Sequence, residues 1–151
     1  MRILVCSDSH GRVGRLLRAA ERQPGAARVV FLGDGENDSD ALARPGLLLT
    51  RVRGNCDFGS QLPLWERFSA GGRQVLCTHG HSSRVKYGLD ELLQAALSHG
   101  ADLVLYGHTH TPRLSYEQGV YLFNPGSIYH GSYGFVDITA AGIVCVHCAV
   151  S

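Results

Sequence analysis

Five short runs in this sequence, four of them apolar, each break off into a polar stretch carrying aspartate, asparagine or histidine. RILVC runs into Ser7-Asp8-Ser9-His10, VVFL into Gly33-Asp34, TRVR into Gly54-Asn55, QVLC into Thr78-His79-Gly80-His81, and LVLY into Gly107-His108-Thr109-His110. Runs of this length bounded by turn residues read as buried strands. Two segments between them carry the helical period instead. Val13, Leu16, Leu17 and Ala20 fall at helical spacing before Pro24, and Leu89, Leu92, Leu93, Ala96 and Leu97 do so before Gly100. Alternating strands and helices predict an α/β fold. In an open parallel sheet the carboxyl ends of the strands share one edge, and ligands bind in the crevice outside it. The polar stretches from Asp8 to His110 would then converge.

The remaining segments read as hairpins. RLSYEQGVYLF turns near Gln118-Gly119, GFVDITAAGIVCVH turns between Thr139 and Gly142, and LWERFS joins RQVLCT through Gly71-Gly72. The front half is therefore expected to be largely parallel and the back half antiparallel. A length of 151 residues suits one domain over 1–151, with no linker, repeat or low-complexity tract. The formal charge is +1 with histidine neutral, and no basic run marks a nucleic-acid or membrane surface. The apolar start RILV is too short for a signal-peptide core, and no run approaches the ~20 residues of a membrane span. The five cysteines are odd in number and mostly lie in or beside apolar runs, as reduced core thiols do. A cytoplasmic chain without a disulfide framework is expected.

The converging set is Asp8, His10, Asp34, Asn55, His79, His108 and His110, an oxygen and nitrogen inventory suited to borderline divalent metals. Seven donors exceed one tetrahedral ion. Two ions about 3.5 to 4 Å apart, bridged by a carboxylate, would use them all and would clamp the attacking and leaving oxygens of a phosphate ester. If Gly107 to His110 is extended, His108 and His110 point to one side, about 7 Å apart. Each motif also has an ordinary reading: HxH as a solvated strand exit, DSH as a helix cap, and Gly33-Asp34 and Gly54-Asn55 as turns. Their order at successive strand ends favours the metal site.

DSH, GD, GN, THGH and GHTH, in that order and nearly spanning the chain, resemble the calcineurin-like metallophosphoesterases. The short length, RGNCD, and NPGS at Asn124 to Ser127 resemble the small phosphodiesterase branch of bacteria and archaea. The resemblance implies a four-layer α/β/β/α sandwich of two mixed sheets flanked by helices. It further implies one ion held by Asp8, His10, Asp34 and His110, and a second by Asp34, Asn55, His79 and His108, with Asp34 bridging. A hydroxide shared by the ions would attack phosphorus in line with the leaving oxygen. Mn²⁺ is the expected metal, with Fe, Zn, Ni or Mg as alternatives.

Cys56 departs from the superfamily pattern, because many of its phosphatases carry a histidine directly after the GN asparagine. A thiol is a weaker donor and carries no positive charge, so the reading tilts from monoesters toward diesters. Asp34, His79, Cys56 and His81 are the catalytic candidates, with His81 either substituting for the missing imidazole or bonding within its own loop. CVHC at Cys145 to Cys148 resembles half a zinc site, but on a strand its thiols face opposite sides. Asp38 and Asp57 are placed to support the site by hydrogen bonds. His99, His130 and His147 read as structural or exposed, and Trp65, Tyr116, Tyr121 and Phe123 as core or interface. The expected function is dinuclear-metal-dependent hydrolysis of a small phosphate ester, principally as a phosphodiesterase. The alternatives are a phosphomonoesterase or nucleotide hydrolase, and a non-catalytic scaffold, since a eukaryotic retromer subunit shares the fold. Exposed sheet edges are compatible with a homo-oligomer.

Overall fold

The computed structural model describes residues 1–151. In β1 (Arg2–Cys6) Ile3 and Val5 face one way, Leu4 and Cys6 the other, and all four are buried. A strand apolar on both faces must be covered on both, and this requirement generates the layers. The first sheet has the order β10 (Gly142–Ala149), β9 (Ser132–Thr139), β1, β2 (Arg28–Phe31), β3 (Leu48–Arg51). The second has the order β4 (Trp65–Ala70), β5 (Arg73–Thr78), β6 (Leu103–Leu105), β8 (Val120–Asn124), β7 (Arg113–Glu117). Ile3, Val5 and Val30 of the first sheet pack against Val75, Cys77, Leu103, Leu105 and Phe123 of the second. Outside the first sheet, Leu16 and Ala19 of α1 (Val13–Glu21) cover Leu4, Cys6 and Val29. Two short turns lie between β2 and β3, the helical turn α2 (Glu36–Ser39) and the tighter turn Asp40–Leu42. Outside the second sheet, Leu92, Leu93 and Ala96 of α3 (Asp90–Ser98) cover Leu76, Val104 and Leu122. The layers are helix, sheet, sheet, helix.

Two expectations are corrected here. The back half is not purely antiparallel, because β8 pairs parallel with β6 and antiparallel with β7. Burial explains this: β8 is almost wholly buried and takes a central place, whereas β7 is mostly exposed and forms the edge. The apolar stripe of α1 is also rotated, with Leu16 and Ala19 buried while Val13 and Leu17 reach solvent. That orientation lets Arg15 donate to the carbonyls of Ile128 and Tyr129, Arg18 to Ser151, and Arg22 just past the helix to Ala149. The three expected hairpins form, β4 with β5, β7 with β8, and β9 with β10.

This topology positions the site. β1, β2 and β3 are parallel, as are β5 and β6, so their carboxyl ends deliver the loops containing Asp8, Asp34, Asn55, His79 and His108. Leu105, fully buried between the sheets, sits two residues before the last of those loops. Leu105→Ala is expected to destabilise the chain by about 2–5 kcal/mol through lost burial and a residual cavity. Leu114→Ala on exposed β7 should stay within about 0.5 kcal/mol. Urea unfolding of both variants checks the contrast.

Candidate metal centre

The loops that leave the strands are stitched to one another by backbone. Asp8 N donates to Gly33 O at 2.9 Å, His10 N to Asp34 O at 3.1 Å, and Gly107 N to His79 O at 2.9 Å. Asp8, His10, Asp34, His108 and His110 all have left-handed backbone, with φ between 43° and 71°. Aspartate and histidine tolerate this region better than most residues, and such strain concentrates at functional sites. Two glycines permit the close approach. A Cβ at Gly54 would lie 2.1 Å from Asp34 Oδ1, and one at Gly107 would lie 2.1 Å from Ser7 Oγ and 2.8 Å from Asp8 Oδ2.

The left-handed backbone corrects the extended reading of GHTH. β6 ends at Leu105, and His108 sits at the centre of a tight turn in which Thr109 N donates to Gly107 O at 2.9 Å, with His110 just beyond it. The two imidazoles consequently separate. His108 lies 5.0 Å from the His79 ring, centroid to centroid, and His110 lies 5.2 Å from the His10 ring. Donor atoms then fall into two groups close enough to hold an ion, Asp8 with His10 and His110, and Asp34 with His79 and His108.

Each group contains one buried carboxylate. Asp8, with no exposed surface, accepts hydrogen bonds through Oδ2 from Ser7 Oγ and from His108 N at 3.1 Å. Its Oδ1 faces His110 Nε2 at 3.1 Å, His10 Nε2 at 3.6 Å and His79 Nε2 at 3.8 Å. Asp34 Oδ1 accepts from Cys56 N at 2.7 Å, while Oδ2 faces His79 Nε2 at 3.3 Å and His10 Nε2 at 3.8 Å. One oxygen of Asp34 therefore looks toward both groups. Asn55 Oδ1 lies 3.0 Å from His79 Nε2. His79 Nδ1 lies 2.6 Å from Leu32 O, and a carbonyl there can only accept, so Nδ1 carries the proton. In the neutral ring, Nε2 would aim a lone pair at the oxygens of Asp8, Asp34 and Asn55. Only a cation at the centre, a proton or a metal ion, satisfies that arrangement. The donor set fits divalent metal binding, with the tautomer fixed by a carbonyl behind the ring.

The electrostatics agree. Burial raises the Asp8 carboxyl, but hydrogen bonds from His10 and His110 and the charge of His79 outweigh it and hold the group well below the usual carboxylate range. Asp34 is likewise lowered, burial being overcome by its bond to His79. Burial lowers His79, yet Asp34 and Asp8 raise it further, while His10 is raised by its bond to Asp8. His108 is pushed down to about 4 by burial, with His79 and Lys86 adding to the effect, so its ring is neutral near pH 7.

Cys56 is exposed, and its Sγ lies close enough to His10 and Asp34 to form a third donor group. Burial and the Asp34 charge raise its thiol above the ordinary value, so it stays protonated. It lines an open cleft of about 470 Å³ together with His10, Asp34, Glu36, Asp38 and Phe58. The ring of His81 lies 5.4 Å from His79 and 6.1 Å from His108, and its buried Nδ1 has no hydrogen-bond partner. Burial and His79 lower its basicity.

The supporting shell is richer than its sequence signals. Asp57 accepts from four backbone N–H groups, those of Asp34, Gly35, Glu36 and Gly54, at 2.8 to 3.1 Å. Asp38 accepts from Ser9 Oγ and Gly11 N. Buried Asn124 donates to Gly107 O and Thr109 Oγ1, fixing the histidine loop, and Ser127 Oγ donates to Asp8 O. NPGS is thus a clamp on two site loops, a role its sequence position alone does not reveal. His130 reads from sequence as structural or exposed, but its ring lies 5.3 Å from His110. Cys145 and Cys148 pack on opposite faces of β10, His147 bonds Asn124 O, and His99 bonds Ala95 O.

The profile of the calcineurin-like phosphoesterase superfamily domain matches residues 1–141. The chain belongs to that superfamily. It is 33% identical to YsnB of Bacillus subtilis, a probable metallophosphoesterase, over 85% of this chain and 75% of that protein. It is 28% identical to phosphodiesterase YfcE of Escherichia coli over 97% of this chain and 93% of the enzyme. A solved structure from Streptococcus pneumoniae, of a conserved protein predicted to be a phosphoesterase, superposes with a TM-score of 0.82. That alignment, at 28% identity, covers 98% of this chain and 88% of the other. The mixed two-sheet sandwich is therefore the metallophosphoesterase fold.

The Asp57 clamp makes a direct prediction. Asp57→Ala leaves four N–H groups without their acceptor; hydrogen bonds to a charged group contribute about 1.5–3 kcal/mol each, less where water takes the carboxylate's place. A loss of at least about 2 kcal/mol in urea unfolding is expected, together with weaker metal uptake in a titration, because Asp34 and Gly54 both hang from this carboxylate.

Proposed function

We propose that the chain is a metal-dependent phosphodiesterase, one domain over 1–151, that hydrolyses a small phosphate-ester substrate at two divalent ions. The observation that carries this reading is Asp34 Oδ2 facing both His10 and His79, between two separate groups of imidazole donors. Similarity to YfcE over nearly the whole of both chains supports the diester chemistry. One ion would be held by Asp8, His10, Asp34 and His110, the other by Asp34, Asn55, His79 and His108. Mn²⁺ is the metal proposed, and the five free thiols suit the reducing cytoplasm. No helix is long and apolar enough to cross a membrane.

Bound there, the ions supply Lewis-acid activation of water and neutralise charge on the phosphate oxygens. The chain's own residues hold that chemistry in place. Cys56 N–H pins Asp34 Oδ1, which leaves Oδ2 turned inward, and Leu32 O fixes the His79 tautomer. Neutral His108 keeps a lone pair available near pH 7. The protonated Cys56 thiol offers a weak donor without positive charge, which suits a diester monoanion better than a monoester dianion. His81, lowered by burial, is also uncharged near neutrality and does not replace a cationic acid.

Removal of metal is expected to abolish turnover of bis(p-nitrophenyl) phosphate, and Mn²⁺ to restore it. Loss of supporting residues around a metal typically costs 10–100-fold, so Asp34→Asn, which weakens both ions, should lose more than about a hundredfold. Added metal should also raise Tm, because a ligand at a hundred times its Kd stabilises the native state by about 2.7 kcal/mol. Full turnover in the metal-free chain would end the proposal.

Cys56→His tests substrate class. A positioned imidazole at the cleft should raise monoester over diester turnover by about tenfold, equivalent to about 1.4 kcal/mol of differential transition-state stabilisation. Alkyl and aryl monoesters should be compared, since only basic leaving groups need the proton. An unchanged ratio with metal retained would move the determinant of substrate class elsewhere in the cleft.

A further inference from the structure

A second cavity of about 470 Å³ shares a wall with the metal centre, because Thr109, which lies between His108 and His110, lines it. Two exposed cations line it, Lys86 from the turn Val85–Tyr87 and Arg113 from the start of β7. Neither cation is paired with a carboxylate, and no acidic residue lines the cavity. Thr111 also lines it.

The deciding feature is Tyr106. The residue is 1% exposed and lines this cavity, and its hydroxyl makes no hydrogen bond within the protein and is not sealed from solvent. The hydroxyl is therefore free to donate to a group that enters the cavity. Here it stands beside Arg113, whose charge reaches it. Thr109 Oγ1 already accepts from Asn124 Nδ2 and Thr111 N, which leaves its hydroxyl proton free to donate. Two cations, an unpartnered phenol and a threonine hydroxyl thus converge with nothing anionic among them. That chemistry recognises a carboxylate or phosphate.

We propose that the cavity between Lys86, Tyr106 and Arg113 is an anion subsite that holds a second acidic group of the substrate while the ester phosphorus lies at the metals. The proposal rests on the phosphodiesterase reading and narrows it to diesters with a free carboxylate or phosphate on one alcohol. A substrate of that kind carries at least two negative charges. The group nearest the metals would be neutralised there and the other by Lys86 and Arg113.

Two arms test it on the full chain. In the first, metal is stripped, the chelator is removed by gel filtration, and inorganic phosphate is titrated while backbone amides are followed by NMR. Lys86, Thr109 and Thr111 should shift with millimolar phosphate, and the Lys86→Gln/Arg113→Gln double variant should lose the response. Arg113→Gln and Tyr106→Phe, changed singly, should weaken it severalfold and serve if the double variant does not fold. Shifts absent from the unaltered chain, or retained in the variants, overturn the subsite. In the second arm the Mn²⁺-loaded protein is given methyl p-nitrophenyl phosphate and a series of ω-carboxyalkyl p-nitrophenyl phosphates of two to six methylenes. At least one length should exceed the methyl ester about tenfold in kcat/KM, and that ratio should fall toward one in Arg113→Gln. Phosphate binding without any length preference would make this a site for free anions and overturn the substrate role. Turnover of no ester, the methyl ester included, would instead bring down the hydrolase reading and the substrate role with it.

Discussion

Burying two carboxylates at the meeting edge of two sheets is the constraint on which the rest of this molecule depends. Asp8 has no exposed surface and Asp34 only 4%. A buried charge costs several kcal/mol unless opposite charge and hydrogen bonds compensate it. Here the compensation comes from imidazoles, backbone N–H groups and Ser7, drawn from loops far apart in sequence. Each of those loops must come close, which accounts for the glycines at Gly54 and Gly107 and the left-handed backbone at the donor positions. A core of Leu, Val and Ile holds the strand ends, but the carboxylates dictate the conformation of the loops beyond them.

The same electrostatic demand divides the surroundings of the site. On the side of His10 and Cys56, Glu36, Asp38 and Asp57 line the open cleft. On the side of His108, Lys86 and Arg113 face a cavity without acids. A net charge of +1 conceals this asymmetry entirely. Average composition reports solubility and long-range steering, whereas selectivity arises from which few charges the fold leaves unpaired.

Much of the fold was legible because its signals are local. Short apolar runs, two helical stripes and three turn signals give the strands, both long helices and all three hairpins. What local patterns misjudged was pairing. RLSYE and VYLFN look like two arms of one hairpin, and they are, but only burial on both faces tells that VYLFN lies in the sheet centre beside LVL. The rotation of α1 escaped for a related reason, since its arginines meet carbonyls more than a hundred residues away, which its own apolar stripe does not show.

The candidate donors could be named from the sequence, because aspartate, asparagine and histidine after strands are written directly in DSH, GD, GN, THGH and GHTH. Their grouping did not. An extended GHTH would put both histidines on one side, and the turn at Gly107 to Thr109 sends them to different carboxylates instead. Nor could the sequence reveal that Asp57 gathers four N–H groups, that Asn124 secures the histidine loop, or that buried His81 Nδ1 lacks a partner. Those facts depend on which backbone groups meet after two sheets have packed. Side-chain chemistry is a property of each residue, but the direction of a lone pair and the satisfaction of a buried group are properties of the packed chain.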